Sequence, residues 1–178
     1  MPTKKRIGIF RGTFDPIHDG HVSFTQSAMI SAKLDVIYYI PEPNPVHKDK
    51  VSDFQKRLDL ISVAIEGKKA LKLLDDVALR GSIGEIIPRL NEVFSNDQLV
   101  FIMGSDIAKT LPKWKDLKSL CGDNELVIGL RGKDTRAEVA VIIDSLKSKP
   151  RRTIIIKAPM PNEASSTIRE KLLSESDS

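Results

Sequence analysis

Short apolar runs alternate along the chain with segments whose apolar positions recur at helical spacing, and this alternation predicts strand following helix almost from end to end. Ile7, Ile9 and Phe10 mark a first strand. Val36-Ile-Tyr-Tyr-Ile40, Leu71–Leu74, Leu99-Val-Phe-Ile-Met103, Leu126-Val-Ile-Gly-Leu130 and Thr153-Ile-Ile-Ile156 mark later ones. Between them the spacing predicts helices over Val22–Lys33, after Ser52, over Ile83–Phe94 and over Arg136–Leu146, with a last one over Ser165–Leu173. Ser52-Asp-Phe-Gln55 has the form of a capping box, and Phe54, Leu58, Ile61 and Ile65 give the helix behind it an apolar face. Pro88 inside the third helical segment implies a first-turn position or a kink.

The strands are apolar throughout instead of alternating with polar residues, which indicates a parallel sheet covered on both faces. The expected architecture is therefore α/β, a Rossmann-like doubly wound sheet with helices on both sides. In such a sheet ligands bind beyond the carboxyl ends of the strands, at the point where strand order reverses. The suggestive polar residues all follow strands. His18 and His21 come after the first, and the proline loop Pro41-Glu-Pro-Asn-Pro45 with His47 and Lys48 comes after the second. Gly104 and Asp106 follow the fourth, and Arg131 follows the fifth. The topology would gather them along one edge.

Composition narrows the class. A chain of 178 residues fits one domain with a proper core, spanning 1–178 and disordered only in the last few residues. Lys and Arg number 28 against 24 Asp and Glu, an excess of 4 that suits anionic small ligands but is too small to argue for nucleic acid. Aromatic residues at 5% leave little for base stacking. The single Cys121 excludes an internal disulfide, suits a reducing cytoplasm and reads as a small buried hydrophobe. No apolar run is long enough to span a membrane.

The chemistry concentrates in Gly12-Thr-Phe-Asp-Pro-Ile-His-Asp-Gly-His21, where an apolar strand runs into a turn. If Asp19 and Gly20 open a helix, His18 and His21 lie on one face of its first turn. Unpaired N–H groups and the positive end of the helix dipole sit there too, giving an anion site with two imidazole donors added. Capping and metal binding are the plainer roles for two histidines at a helix start.

This stretch resembles the signature of nucleotidyltransferases that join a phosphate-bearing substrate to a nucleoside triphosphate and release pyrophosphate, and within them bacterial nicotinate mononucleotide adenylyltransferases. Pro45-Val-His-Lys48 is similar to that family's loop after the second strand. Phe101-Ile-Met-Gly-Ser-Asp-Ile-Ala-Lys-Thr-Leu-Pro-Lys-Trp-Lys115 is similar to its fourth-strand motif, and Ala164-Ser-Ser-Thr-Ile-Arg169 resembles its C-terminal phosphate-binding motif. The resemblance implies that His18 and His21 hold the triphosphate and stabilise charge at the α-phosphorus, with Gly12, Thr13 and Phe14 forming the phosphate turn. It gives Lys48 a reach to phosphates, Gly104 and Asp106 the adenosine ribose, and Trp114 the pyridine ring of the acceptor. It places Ser165, Ser166 and Arg169, at the start of the C-terminal helix, on the β- and γ-phosphates, and Arg131 on the nucleotide side. The partners implied are ATP, carrying Mg2+, and nicotinate mononucleotide; a homo-oligomer is admitted, nucleic acid and membrane are not.

Four departures bear on the substrate more than on the chemistry. Arg11 stands where the family usually has glycine, Ala164 replaces a serine, Glu163 replaces an apolar residue, and Leu79-Arg-Gly-Ser-Ile-Gly-Glu-Ile-Ile87 lacks a tyrosine- and threonine-containing run. The same reaction type with nicotinamide mononucleotide or phosphopantetheine as acceptor, or CTP as donor, stays open beside a non-catalytic nucleotide-binding regulator.

Overall fold

A computed structural model of the protein describes residues 3–45 and 50–157. Lys48, Ser165, Ser166 and Arg169, with the expected helix over Ser165–Leu173, lie outside the described residues.

Among the described residues six strands form one parallel sheet: β1 (Arg6–Gly12), β2 (Val36–Pro41), β3 (Leu71–Leu73), β4 (Gln98–Gly104), β5 (Glu125–Leu130) and β6 (Arg152–Lys157). Their order across the sheet is β3-β2-β1-β4-β5-β6. The chain winds outward from β1 in one direction, returns, and winds outward from β4 in the other. The switch point therefore lies between β1 and β4, whose registers pair Phe10 with Ile102.

The helices are α1 (Asp19–Ala32), α2 (Phe54–Ala64), α3 (Ile83–Val93), the short α4 (Ser105–Ala108), α5 (Leu117–Cys121) and α6 (Arg136–Ser145). Strand alternation divides the core in two. Ile7 and Ile9 point to the face covered by Ile86, Ile87 and Leu90 of α3, Leu120 of α5, and Val139 of α6. Phe10 points to the other, covered by Phe24 and Ala28 of α1 and Ile61 of α2. Burial of both faces explains why the strands carry no polar alternation.

Of two local expectations, one is narrowed and one revised. Pro88 lies inside α3, past the first turn; its cost of roughly 3 kcal/mol is offset by complete burial of Ile86, Ile87 and Leu90. The cap of α2 is Asp53, whose carboxylate accepts from the Lys56 N–H at 3.1 Å. Ser52 is drawn elsewhere, its N–H donating to Asp15 Oδ2 at 3.1 Å.

Candidate active site

β1 ends at Gly12, opposite Pro41 of β2, and the chain turns through Thr13 to Ile17 before α1. Phe14 takes a φ of 49°, which inserts its ring beneath the turn. There it packs edge-on to Phe10 at 5.2 Å between ring centres and to His21 at 5.4 Å. Phe14 is buried, so it supports the turn from below while the backbone of Gly12 and Thr13 forms the rim.

The histidines form a reciprocal cap. His18 is the N-cap of α1, and its Nδ1 accepts from the Gly20 N–H at 3.2 Å; the Nδ1 of His21 accepts in turn from the His18 N–H at 3.2 Å. The rings lie 3.8 Å apart with 31° between their planes. An imidazole whose Nδ1 accepts a hydrogen bond carries its neutral-form proton on Nε2. The structure thus realises the capping role directly, with both Nδ1 atoms accepting backbone N–H groups at the start of α1.

Beneath the turn lies a group that the sequence reading missed. Arg57 of α2 is 1% exposed, and its guanidinium donates to four backbone carbonyls: Thr13 at 2.6 Å, Glu42 at 2.8 Å, Pro43 at 3.0 Å and Ser52 at 3.1 Å. It ties the turn after β1, the proline loop after β2 and the start of α2 into one body. Asp15, also 1% exposed, is a nearby counter-charge that opposes the fall in Arg57 pKa caused chiefly by burial. The available signal was positional, since Arg57 falls on the stripe of Phe54, Leu58 and Ile61, where apolar residues belong.

Beyond β4 and β5 a second cluster forms. An added Cβ on Gly104 would come within 2.3 Å of Asp106 Oδ1 and 2.7 Å of Arg131 Nε, so glycine is what lets these two side chains cross over the strand end. They form an ion pair at 3.3 Å, without hydrogen-bond geometry at Nε. Ser105, fully buried, donates to Asp134 Oδ2 at 2.7 Å and accepts from the Arg131 N–H at 2.9 Å. Lys109 also pairs with Asp134, and these two partners, Lys109 first, hold its carboxyl below the usual range. Ser105 and Asp134 thereby hold the loop that carries Arg131, a role with no signature in sequence.

Trp114 stands at the end of a one-turn helix, half-buried against the core, with Nε1 donating to Thr110 Oγ1 at 2.9 Å. Two residues on, Asp116 reaches the start of α3, where an added Cβ on Gly84 would come within 2.2 Å of its carboxylate. Arg11 approaches the same helix start from β1, donating from Nη2 to the Gly81 carbonyl at 2.7 Å and pairing with Glu42 at 3.2 Å. The structure thus brings Gly12, Thr13, His18, His21, Gly104, Asp106 and Arg131 to the ends of β1, β4 and β5 or to the segments that open directly after them, while Trp114 follows farther on, beyond α4 and a one-turn helix. Cys121 is apart from all of these, buried in the core with its thiol pushed up to about 11 by desolvation.

No helix among the described residues is long and apolar enough to cross a membrane. The cytidylyltransferase-like family matches residues 9–171. A Clostridium tetani protein named "Probable nicotinate-nucleotide adenylyltransferase" is 32% identical over 174 residues, 94% of this chain and 87% of that one. The Bacillus subtilis nicotinate-nucleotide adenylyltransferase is 36% identical over 121 residues, 65% of this chain and 64% of its own. Among solved structures, Plasmodium falciparum nicotinic acid mononucleotide adenylyltransferase complexed with NaAD superposes with a TM-score of 0.75 at 18% identity, covering 93% of this chain and 83% of that one. That likeness shows the shared fold. The matches along nearly the whole chain carry the stronger conclusion: the protein belongs to the cytidylyltransferase-like nucleotidyltransferases, among the nicotinate-nucleotide adenylyltransferases.

Proposed function

We propose that the protein transfers the adenylyl group of ATP to the phosphate of nicotinate mononucleotide, giving the deamido-NAD dinucleotide and pyrophosphate in NAD biosynthesis. The observation that carries this reading is the reciprocally capped His18–His21 pair at the carboxyl end of the central strand. An oxygen of the acceptor phosphate attacks the α-phosphorus, the bond to the β-phosphate bridging oxygen breaks, and the electron pair leaves with pyrophosphate. The acceptor is already anionic, so no protein nucleophile or general base is required. The work is alignment of two polyanions and neutralisation of the charge that spreads between them.

The Nε2–H groups of His18 and His21 donate to that charge, and the backbone of Gly12 and Thr13, braced by Arg57, lines the phosphate turn. Asp106, paired with Arg131, holds the ribose of the donor. Trp114 stacks on the pyridine ring of the acceptor. Lys48 and the Ser165, Ser166 and Arg169 group complete the phosphate contacts. Among the described residues no group of three or more His, Cys, Asp and Glu is arranged to hold a metal. Magnesium would arrive with the triphosphate and neutralise phosphate charge there. A cytoplasmic enzyme agrees with the single, buried Cys121.

The test is pyrophosphate release from ATP and magnesium with nicotinate mononucleotide, run beside nicotinamide mononucleotide, phosphopantetheine and a CTP control. Turnover with ATP and the nicotinate form is the expected result. Turnover with a different pair alone would overturn the substrate assignment, and none with any pair would overturn the activity.

A further inference from the structure

We infer that Arg11 is the residue that selects an acidic acceptor, its guanidinium pairing with the carboxylate on the pyridine ring after displacing the side chain of Glu42. The inference rests on the acceptor assignment above. Arg11 sits at the carboxyl end of β1 on the face covered by α3, and its side chain is only 12% exposed. Its whole hydrogen-bonding outlay passes through one nitrogen, Nη2, to the Gly81 carbonyl and to Glu42. Nε and Nη1 are buried and have no acceptor. Once Glu42 leaves, the freed Nη2–H together with one of the two unanswered nitrogens forms a fork that a planar, bidentate anion is shaped to meet.

The position fits the acceptor. Gly81 and Gly84 bracket the first residues of α3, and Gly84 lies against the carboxylate of Asp116, two residues beyond Trp114. The chain just beyond Trp114 and the Arg11 side chain thus meet the same start of α3. Two carboxylates face the guanidinium in the ligand-free protein. Glu85 is committed to the cap of α3, its Oε2 accepting from the Ser82 N–H at 2.6 Å. Among the described residues the Glu42 side chain, 37% exposed, has only the Arg11 contact, so it can swing out to solvent when a ligand carboxylate arrives. Glu42 then acts as a placeholder that keeps Arg11 aimed and that an incoming ligand carboxylate must displace. Burial is the leading cause lowering the Arg11 pKa, and Glu42 partly restores it.

The experiment uses the intrinsic fluorescence of Trp114, the protein's single tryptophan. Nicotinate and nicotinamide mononucleotides are titrated into the full chain with magnesium and a non-hydrolysable ATP analogue, for wild type, Arg11→Met, Arg11→Lys and Glu42→Gln. Wild type should bind the acid form at least about tenfold more tightly than the amide, in line with a charge-assisted bidentate pair. Arg11→Met should lose that ratio through weaker binding of the acid form alone, Arg11→Lys should keep part of it, and Glu42→Gln should raise it. Circular dichroism establishes that each variant is folded. An equal loss for both nucleotides in folded Arg11→Met, or a wild type without preference, would overturn the inference. Turnover is measured separately on the same samples: its absence would sink the adenylyl-transfer reading, while the acid-to-amide ratio alone decides the role of Arg11.

Discussion

The turn after β1 and the start of α3 face the same edge of the sheet, and each is underpinned by an arginine. Arg57 beneath the turn spends its guanidinium on four carbonyls from three segments and is wholly enclosed. Arg11 beneath the helix start bonds through a single nitrogen, beside two carboxylates. The first is finished as a piece of architecture before any ligand arrives. The second is left incomplete. The difference follows the division of labour in the reaction: a triphosphate and a phosphate need the same preformed cradle whatever the acceptor's ring carries, whereas the ring substituent has to be read by groups that change partner on binding.

The widest gap between the two corners should appear when each arginine is removed. Arg57→Met would leave four part-buried carbonyls without their donor and take a positive charge from the neighbourhood of Asp15, so unfolding should become easier by about 3 kcal/mol or more. Turnover should collapse even where the variant remains folded, because the phosphate turn loses its brace. Arg11→Met should change stability by far less, and denaturant titrations of both variants provide the comparison. Similar losses at the two sites would erase the distinction drawn between a finished and an unfinished corner.

Next in size is the histidine pair, where substitution can separate capping from chemistry. His18→Ala and His21→Ala should each lower turnover by at least about tenfold, as loss of a charge-stabilising donor does. His18→Ala should also cost roughly 1 kcal/mol of stability through the lost cap. His18→Asn keeps a side chain suited to the N-cap but presents no imidazole; it should regain the stability and not the turnover. Recovery of both in the asparagine variant would reduce His18 to a helix cap.

Trp114→Ala tests the acceptor corner from its other side. Weakened binding of the pyridine nucleotide by about 1–3 kcal/mol is expected, with little change for ATP, as for a lost stacking platform. An effect confined to ATP would move the ring to the donor side.

Legibility in the sequence followed the same line as the chemistry. The strands, their parallel arrangement and the gathering of residues at their ends could be read because fully buried strands must be apolar and because short connections leave few topologies. The histidine pair could be read because its spacing fits one turn of helix and both members proved to be parts of a single cap. Arg57 was passed over because its meaning lies in four carbonyls distant in sequence from its own helix, and a carbonyl has no residue identity to recognise. Ser105 and Asp134 were missed for a similar reason: serine and aspartate after strands are common, and only the parallel pairing of β4 with β5 makes them partners. Arg11 stood out as a departure from the family pattern, but its unanswered nitrogens belong to the packing of α3 against β1 and Glu42.

The smallest effect should come from a pair remote from both corners, which makes it a control for them. Arg6 and Glu125 join β1 to β5 at the opposite end of the sheet by a two-pronged contact, at 3.1 and 2.7 Å. The hydrogen bonds from Arg6 hold the buried Glu125 carboxyl below its ordinary range. A depressed folded-state pKa means stability that is fully present above the unfolded value, near 4.3 for glutamate, and lost as pH falls through the folded one. Glu125→Gln keeps the shape and gives up the charge, so at neutral pH it should cost about 1 kcal/mol. Denaturant titrations of the two proteins between neutral and acid pH should converge as wild-type Glu125 takes up its proton. The acceptor preference should not move, since no residue of either corner touches this pair. A stability difference that stays constant with pH would show that the contact works through packing and not through charge.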